Sequence, residues 1–311
     1  MSERIDRRSL LLGLLATRFA SAAGSTNEAL RERLAELEAE AGGRLGVCAL
    51  DPVSGRSIGL REHERFAMCS TFKLLLAAAV LRRVDRSQLH LYRKVTFDAG
   101  DMVSHAPVTA AKLSTGWLSI GELCAAAVKL SDNPAANLLL EQIGGPAGLT
   151  ADLRSMGDTI TRLDRNELAL NSNLRGDERD TTTPHAMAHT AARVLAGDIL
   201  SAGSRQMLVE WTKASPTGAR RIRAGLPSGW TAGDKTGTGA NGAVNDVAIV
   251  WPPGRGPLIL AIYMSESPRP VAELEPVHAR VAGLVAEAVT AALPESRAAG
   301  VRRYGRRLGS V

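Results

Sequence analysis

Ser70-Thr71-Phe72-Lys73 sets a hydroxyl and an amine three residues apart at the head of the apolar run Leu74 to Leu81. That run has the period of a buried helix, so Ser70 and Lys73 share one helical face. A serine hydroxyl is a poor nucleophile at neutral pH; it needs a base within hydrogen-bond reach and donors waiting for the oxyanion. Lys73 is one turn away. A serine at a helix start also keeps a backbone N–H without an intrahelical partner, at the positive end of the dipole. In Ser131-Asp132-Asn133, Ser131 offers a hydroxyl to relay a proton and Asn133 an amide to hold a substrate carbonyl or a lysine. In Lys235-Thr236-Gly237, at an expected strand end, Lys235 can meet a substrate carboxylate and Gly237 lets another backbone approach closely. Thr238 can add an oxyanion N–H on the strand edge. Each segment alone has a bland reading, such as a turn or cap at Ser-Asp-Asn. Together they specify a serine that can be acylated.

The elements that must position these groups follow from periodicity. Asn27 to Ala41 reads as an amphipathic helix, followed by strand character over Arg44 to Leu50 and a turn at Asp51-Pro52-Val53-Ser54-Gly55. From Phe72 to about Trp211 the pattern is mostly helical, with Leu123 to Leu130 and Pro134 to Gln142 as further apolar segments. Strands return at Trp230 to Lys235, Asn245 to Trp251 and Leu258 to Met264, and an amphipathic helix closes the pattern over Val271 to Leu293. Strands near both ends imply one sheet built from both. No internal repeat is present.

With these motifs in this order, the chain resembles the class A β-lactamases, serine hydrolases of the penicillin-recognising fold. Arg165-Asn166-Glu167-Leu168-Ala169-Leu170-Asn171 is similar to the family's Ω-loop, in which Glu167 activates the deacylating water and Asn171 helps hold it. The resemblance spans about residues 27 to 293, including Arg61 to Lys73, Pro107-Val108-Thr109 and Asp180 to Pro184. It implies an α+β fold: a five-stranded antiparallel sheet flanked by helices, plus an all-α domain. The implied division is 24–61 with 213–294 for the α/β part and 62–212 for the all-α part. It also implies that Arg165 pairs with Asp180 to close the loop. Arg221 looks like the replacement for an arginine that many relatives place after the Lys-Thr-Gly strand, where Gly242-Ala243-Val244 supplies none. Arg220 and Arg223 read as surface or structural. His105 takes the place of an aromatic residue at the pocket rim. Leu168 stands where many members have proline. Cys124 matches a position that many relatives bridge to an earlier cysteine, here Ala77, so no bridge is expected. Cys69 precedes the serine as in a subgroup containing carbapenemases, but its usual partner position is Gly239, which weakens the resemblance to the bridged carbapenemases.

The 311 residues, 45% hydrophobic, favour one large domain or two modest ones and exclude global disorder. Arg7-Arg8 before the short apolar core Leu10 to Ala16, then Ala20-Ser21-Ala22, reads as a twin-arginine export signal over 1–23, cleaved near Ala22 or Ala23. That core falls short of the roughly 20 residues that span a bilayer. The net charge of +6 resides at the ends, with +2 in residues 1–23 and +4 in 295–311, so the core is near neutral and no nucleic-acid face is indicated. Residues 295–311 read as a disordered basic tail. Cys48, Cys69 and Cys124 are an odd count in an exported chain, so at least one thiol stays unpaired.

Other signals lead elsewhere and fail. Gly237-Thr238-Gly239-Ala240-Asn241-Gly242 matches GxGxxG but runs into a strand, with no helix N-terminus for a pyrophosphate. His185 and His189 sit four apart without a third ligand and read as a helix-surface pair. There is no GxSxG elbow. The expectation is a periplasmic monomer hydrolysing a small-molecule β-lactam, with no cofactor, metal, nucleic acid or membrane anchor. The rivals are a cell-wall DD-peptidase, which shares the three motifs, and a membrane-anchored β-lactam sensor that stays acylated.

Overall fold

In the computed structural model, residues 27–291 are described; the expected export signal and basic tail lie outside them. Residues 27–41 form α1, as their amphipathic spacing predicts. The chain then alternates: in β1 (Arg44–Leu50) Cys48 and Leu50 face one core, while Leu45, Val47 and Ala49 face another. β2 (Ser57–Leu60) and β3 (Phe66–Ala67) follow, then a 3-10 turn at Cys69–Thr71 that leads into α2 (Phe72–Asp85). Every α2 residue from Phe72 to Leu81 is buried, so apart from Lys73 this helix is apolar on all sides because it runs through the core.

β4 (Lys94–Thr96) and β5 (Trp117–Ser119) form a short ladder ahead of α3 (Ile120–Lys129). α4 (Asn133–Gln142) and α5 (Gly145–Ser155) come next. An irregular loop then returns to β6 (Thr181–Thr182), which pairs with β3. These two small ladders were not predicted within the helical stretch; two- and three-residue strands are too short to show a period of two. α6 (Pro184–Leu195) and α7 (Ala202–Lys213) complete the helical part.

β7 (Thr231–Thr238), β8 (Val244–Trp251) and β9 (Leu258–Ser265) join β1 and β2 in one antiparallel sheet of order β2-β1-β9-β8-β7. Both chain ends build it, as expected. β7 extends past its predicted end at Lys235 to Thr238, with Lys235 opposite Val247 and Gly237 opposite Asn245. α8 (Val271–Ala291) and α1 cover one face of the sheet: Leu34, Val277 and Val281 pack on Ala248, Leu260 and Ile262. The other face meets the helical core through Val247, Ile259, Ala261 and Tyr263. No helix among the described residues is long and apolar enough to cross a membrane.

Candidate active site

The serine motif sits where the Cys69–Thr71 turn enters α2, with Cys69 in a left-handed conformation at φ 46°. Asn245 holds the approach to this turn, donating from Nδ2 to Ala67 O (2.9 Å) and Met68 O (3.1 Å). β7 lies close beside it: a Cβ on Gly237 would meet Met68 O at 2.8 Å, which is why this strand position carries glycine. Gly239 N–H bonds to Ala243 O, so the alternation of an antiparallel ladder turns the Thr238 N–H away from β8, to the open edge of the sheet.

Lys73 is fully buried, and its Nζ is surrounded by acceptors. It donates to Ser70 Oγ (3.0 Å), Ser131 O (2.9 Å), Ser131 Oγ (3.3 Å) and Asn133 Oδ1, and lies 2.9 Å from Glu167 Oε1. Burial lowers its pKa; the Glu167 carboxylate opposes that shift. Ser70 Oγ in turn donates to Glu167 Oε1 (3.2 Å). Ser131, at φ 57°, starts the segment capped by Asp132, whose side chain accepts from Ala135 N (2.9 Å) and from Val108 N and Thr109 N (2.8 and 3.0 Å). That accounts for Pro107-Val108-Thr109. Asn133 Nδ2 donates to Ser104 O (2.8 Å). His105 is exposed at φ 64°, with Nε2 on Leu130 O (2.9 Å) and its carbonyl accepting from Asn133 N (3.0 Å).

Glu167 is carried by the loop between α5 and β6, and the Glu167–Leu168 peptide is cis. Arg165 Nε pairs with Asp180 Oδ2 at 2.6 Å, and Asp180 Oδ1 also accepts from the N–H groups of Asp164 and Arg165. Asn171 Nδ2 donates to Glu167 Oε2 (2.6 Å). Sequence reasoning missed Asn137: its amide binds the Glu167 main chain reciprocally, Nδ2 to Glu167 O and Oδ1 from Glu167 N, both 3.0 Å. The signal was its place one helical turn after Asn133.

Lys235 Nζ donates to Ser131 Oγ (3.1 Å) and Thr236 O (2.8 Å), so both lysines converge on one hydroxyl. Burial and the neighbouring Lys73 charge bring its pKa down to about 7, against the pull of Asp234 and Asp246. Thr236 Oγ1 donates to Thr217 Oγ1 (2.8 Å). Arg221 is 4% exposed. It donates to Gly237 O (2.9 Å), Asn245 O (2.7 Å) and Thr238 Oγ1 (2.8 Å), with Glu275 Oε1 at 3.4 Å. Its guanidinium therefore lies beneath β7 and reaches the open edge through the Thr238 hydroxyl. Exposed Arg220 pairs with buried Glu275, and Arg223 with buried Asp234. Every site residue named from sequence meets another of the set through a bond of its own side chain or carbonyl, His105 through the carbonyl that accepts from Asn133 N.

The three cysteines are buried and unpaired. A Cβ on Gly239 would lie 2.6 Å from Cys69 Sγ, so the two positions are adjacent as the resemblance implies. His185 and His189 lie side by side with tilted rings (centroids 4.2 Å) and His63 joins them (4.6 Å from His185), yet no group of three or more among the described residues is arranged to hold a metal.

Known proteins are similar to this chain over most of its length. The profile of the β-lactamase enzyme family matches residues 29–289. β-Lactamase AST-1 of Nocardia asteroides is 48% identical over 243 residues, 78% of each chain. The carbapenem-hydrolyzing β-lactamase KPC of Klebsiella oxytoca is 47% identical over 260 residues, 83% of this chain and 88% of that one. Among solved structures, the ancestral (GNCA) class A β-lactamase aligns with a TM-score of 0.82 at 55% identity, covering 83% of this chain and 99% of that one. The chain belongs to the class A serine β-lactamases: it is a hydrolase that opens the β-lactam ring through an acylated serine and so confers antibiotic resistance.

Proposed function

We propose that Ser70, Lys73, Ser131 and Glu167 carry the chemistry, on penicillin- and cephalosporin-type substrates. Ser70 Oγ attacks the ring carbonyl and its proton enters the Lys73–Glu167 pair, both members of which lie within 3.2 Å of Oγ. The N–H groups of Ser70 and Thr238 receive the oxyanion, each worth roughly 10²–10³ in rate. Ser131 hands a proton to the departing ring nitrogen as the C–N bond breaks, replenished by the lysines on either side of its hydroxyl. Lys235, Thr236, Gly237 and Thr238 hold the substrate carboxylate at the strand edge, Arg221 adds its charge from beneath, and Asn133 and His105 line the opposite rim. Glu167, oriented by Asn171, then takes a proton from water; the water oxygen attacks the ester carbon, and Ser70 Oγ leaves with a proton returned to it.

The observation that carries this reading is the position of Glu167 beside Ser70: a DD-peptidase needs the acylating groups but no such carboxylate. Export through the twin-arginine signal to the periplasm, a monomeric state and a division into an α/β part and a helical part belong to the same proposal. Stopped-flow hydrolysis of benzylpenicillin with mass spectrometry of the protein tests it. Multiple turnovers by the parent and none by Ser70→Ala are expected; stable acylation of the parent would favour the peptidase, and turnover by Ser70→Ala would remove the nucleophile.

A further inference from the structure

We propose that Asn173 and Asn241 form a latch that positions the Ω-loop against the end of β7 and thereby sets the rate of deacylation. Each amide donates twice into the other's loop. Asn173 Nδ2 reaches Ala240 O (3.2 Å) and Asn241 O (2.9 Å); Asn241 Nδ2 reaches Ser172 O (3.0 Å) and Asn173 O (3.3 Å). Asn173 Oδ1 accepts from Ser265 Oγ at the end of β9 (3.1 Å), and Ala240 N donates to Asn171 O (2.9 Å). Both asparagines have positive φ, 41° and 50°, a region that asparagine tolerates better than most side chains. The residue type thus serves the backbone turn and the cross-loop bonds together.

Packing does not place this stretch of loop. A cavity of about 320 Å³ lies against it, lined by Arg44, Phe66, Asn173, Leu174, Ser265 and Glu266, and Leu174 is 55% exposed. The loop is held there by hydrogen bonds and by the Arg175–Glu266 ion pair (2.6 Å). The latch stands two residues after Asn171, which holds Glu167, while Ala240 stands two residues after Thr238, the oxyanion donor. Water must attack the ester carbon between these groups, so the latch fixes the geometry of the second half-reaction. Ser70, Lys73 and Ser131 make no bond to it, so Lys73 still receives the Ser70 proton when the latch is broken, and deacylation, which has Glu167 alone as its base, is the step that suffers most.

This inference rests on the deacylating role given to Glu167. The test is steady-state kinetics with benzylpenicillin and mass spectrometry of the protein during turnover, on Asn173→Asp, Asn241→Asp, Asn173→Gly, Asn241→Gly and the double Gly variant. Aspartate keeps the shape but has no N–H to donate; glycine keeps the left-handed backbone and so carries the test if the Asp variants fold poorly. A misplacement of about 1 Å costs up to ~10²-fold, so kcat is expected to fall about 10- to 100-fold. KM should fall as well, so that kcat/KM falls far less than kcat while acyl-enzyme accumulates. The double Gly variant should be no slower than the worse single one, since both changes remove one latch. Equal losses in kcat and kcat/KM, or no loss, would overturn the latch. If Glu167→Gln turns over without trapping acyl-enzyme, the role of Glu167 fails instead; if it is trapped while the asparagine variants behave like the parent, the latch alone fails.

Discussion

Lys73 Nζ lies 2.9 Å from Glu167 Oε1 with both side chains closed to solvent. A lone buried ammonium is costly, and burial already lowers the pKa of Lys73 while Glu167 holds it up. Glu167→Gln keeps the shape and removes that support, so the Lys73 pKa falls further and the base for deacylation is lost. General-base catalysis contributes roughly 10²–10⁴-fold; kcat should drop by about that factor and mass spectrometry should find the protein acylated. Turnover at the parent rate would end this assignment.

Lys235 binds a carboxylate best as an ammonium, and in the free enzyme its pKa is near 7. Below that value it is charged and above it neutral, so kcat/KM for anionic β-lactams should decline as pH rises through about 7. A Lys235→Arg protein, whose guanidinium stays charged, should lose that limb. The sign for stability is opposite. Between about 7 and the ordinary value of 10.5 the unfolded chain binds a proton that the folded one lacks, so this group makes stability rise with pH there. Denaturation midpoints at pH 7 and pH 9 measure its contribution against the Lys235→Arg protein.

Asp180 is fully buried and accepts from Arg165 Nε and two main-chain N–H groups at the neck of the Ω-loop. Arg165 remains partly exposed, so water offsets some of the loss when the pair is broken. Asp180→Asn should cost about 1–3 kcal/mol, read from denaturant midpoints. Slower deacylation should accompany it, because Glu167 is borne on the released loop. An unchanged midpoint would show that the pair contributes nothing to holding the loop.

Arg221 reaches the strand edge through Thr238 Oγ1, to which it donates at 2.8 Å. Its donation leaves the hydroxyl proton free to point at a substrate. Arg221→Ala should raise KM for anionic β-lactams about tenfold with kcat changed by less than about threefold, the pattern of lost uniform binding. Thr238→Ala in the same protein should add little, since the two share one path. Full additivity would separate the two residues.

Several parts of the molecule were legible in one dimension because their cause is local. Short apolar runs marked the strands around Cys48 and Val247, and the unbroken apolar run after Lys73 marked a core helix. The acylating trio followed because Ser70 and Lys73 are a helical turn apart and Asp132 caps the helix that begins at Asn133. Asn137 was hidden because it lies within an apolar helical stretch, and nothing nearby says that its amide faces a loop 30 residues away.

By itself, the sequence determined which side chains are available, where the main helices and strands run, and that the odd cysteine count leaves a thiol unpaired. Only the tertiary structure decided which of those groups meet. Glu167 reaches Ser70 across 97 residues, along a loop without periodicity whose course is set by Asp180, Asn137 and the Asn173–Asn241 bonds. Arg221 turns beneath β7 because Glu275 and two main-chain carbonyls hold it there. Side-chain chemistry and short-range period are encoded residue by residue. The closing of long loops depends on hydrogen bonds between distant backbone turns, which no local pattern reveals.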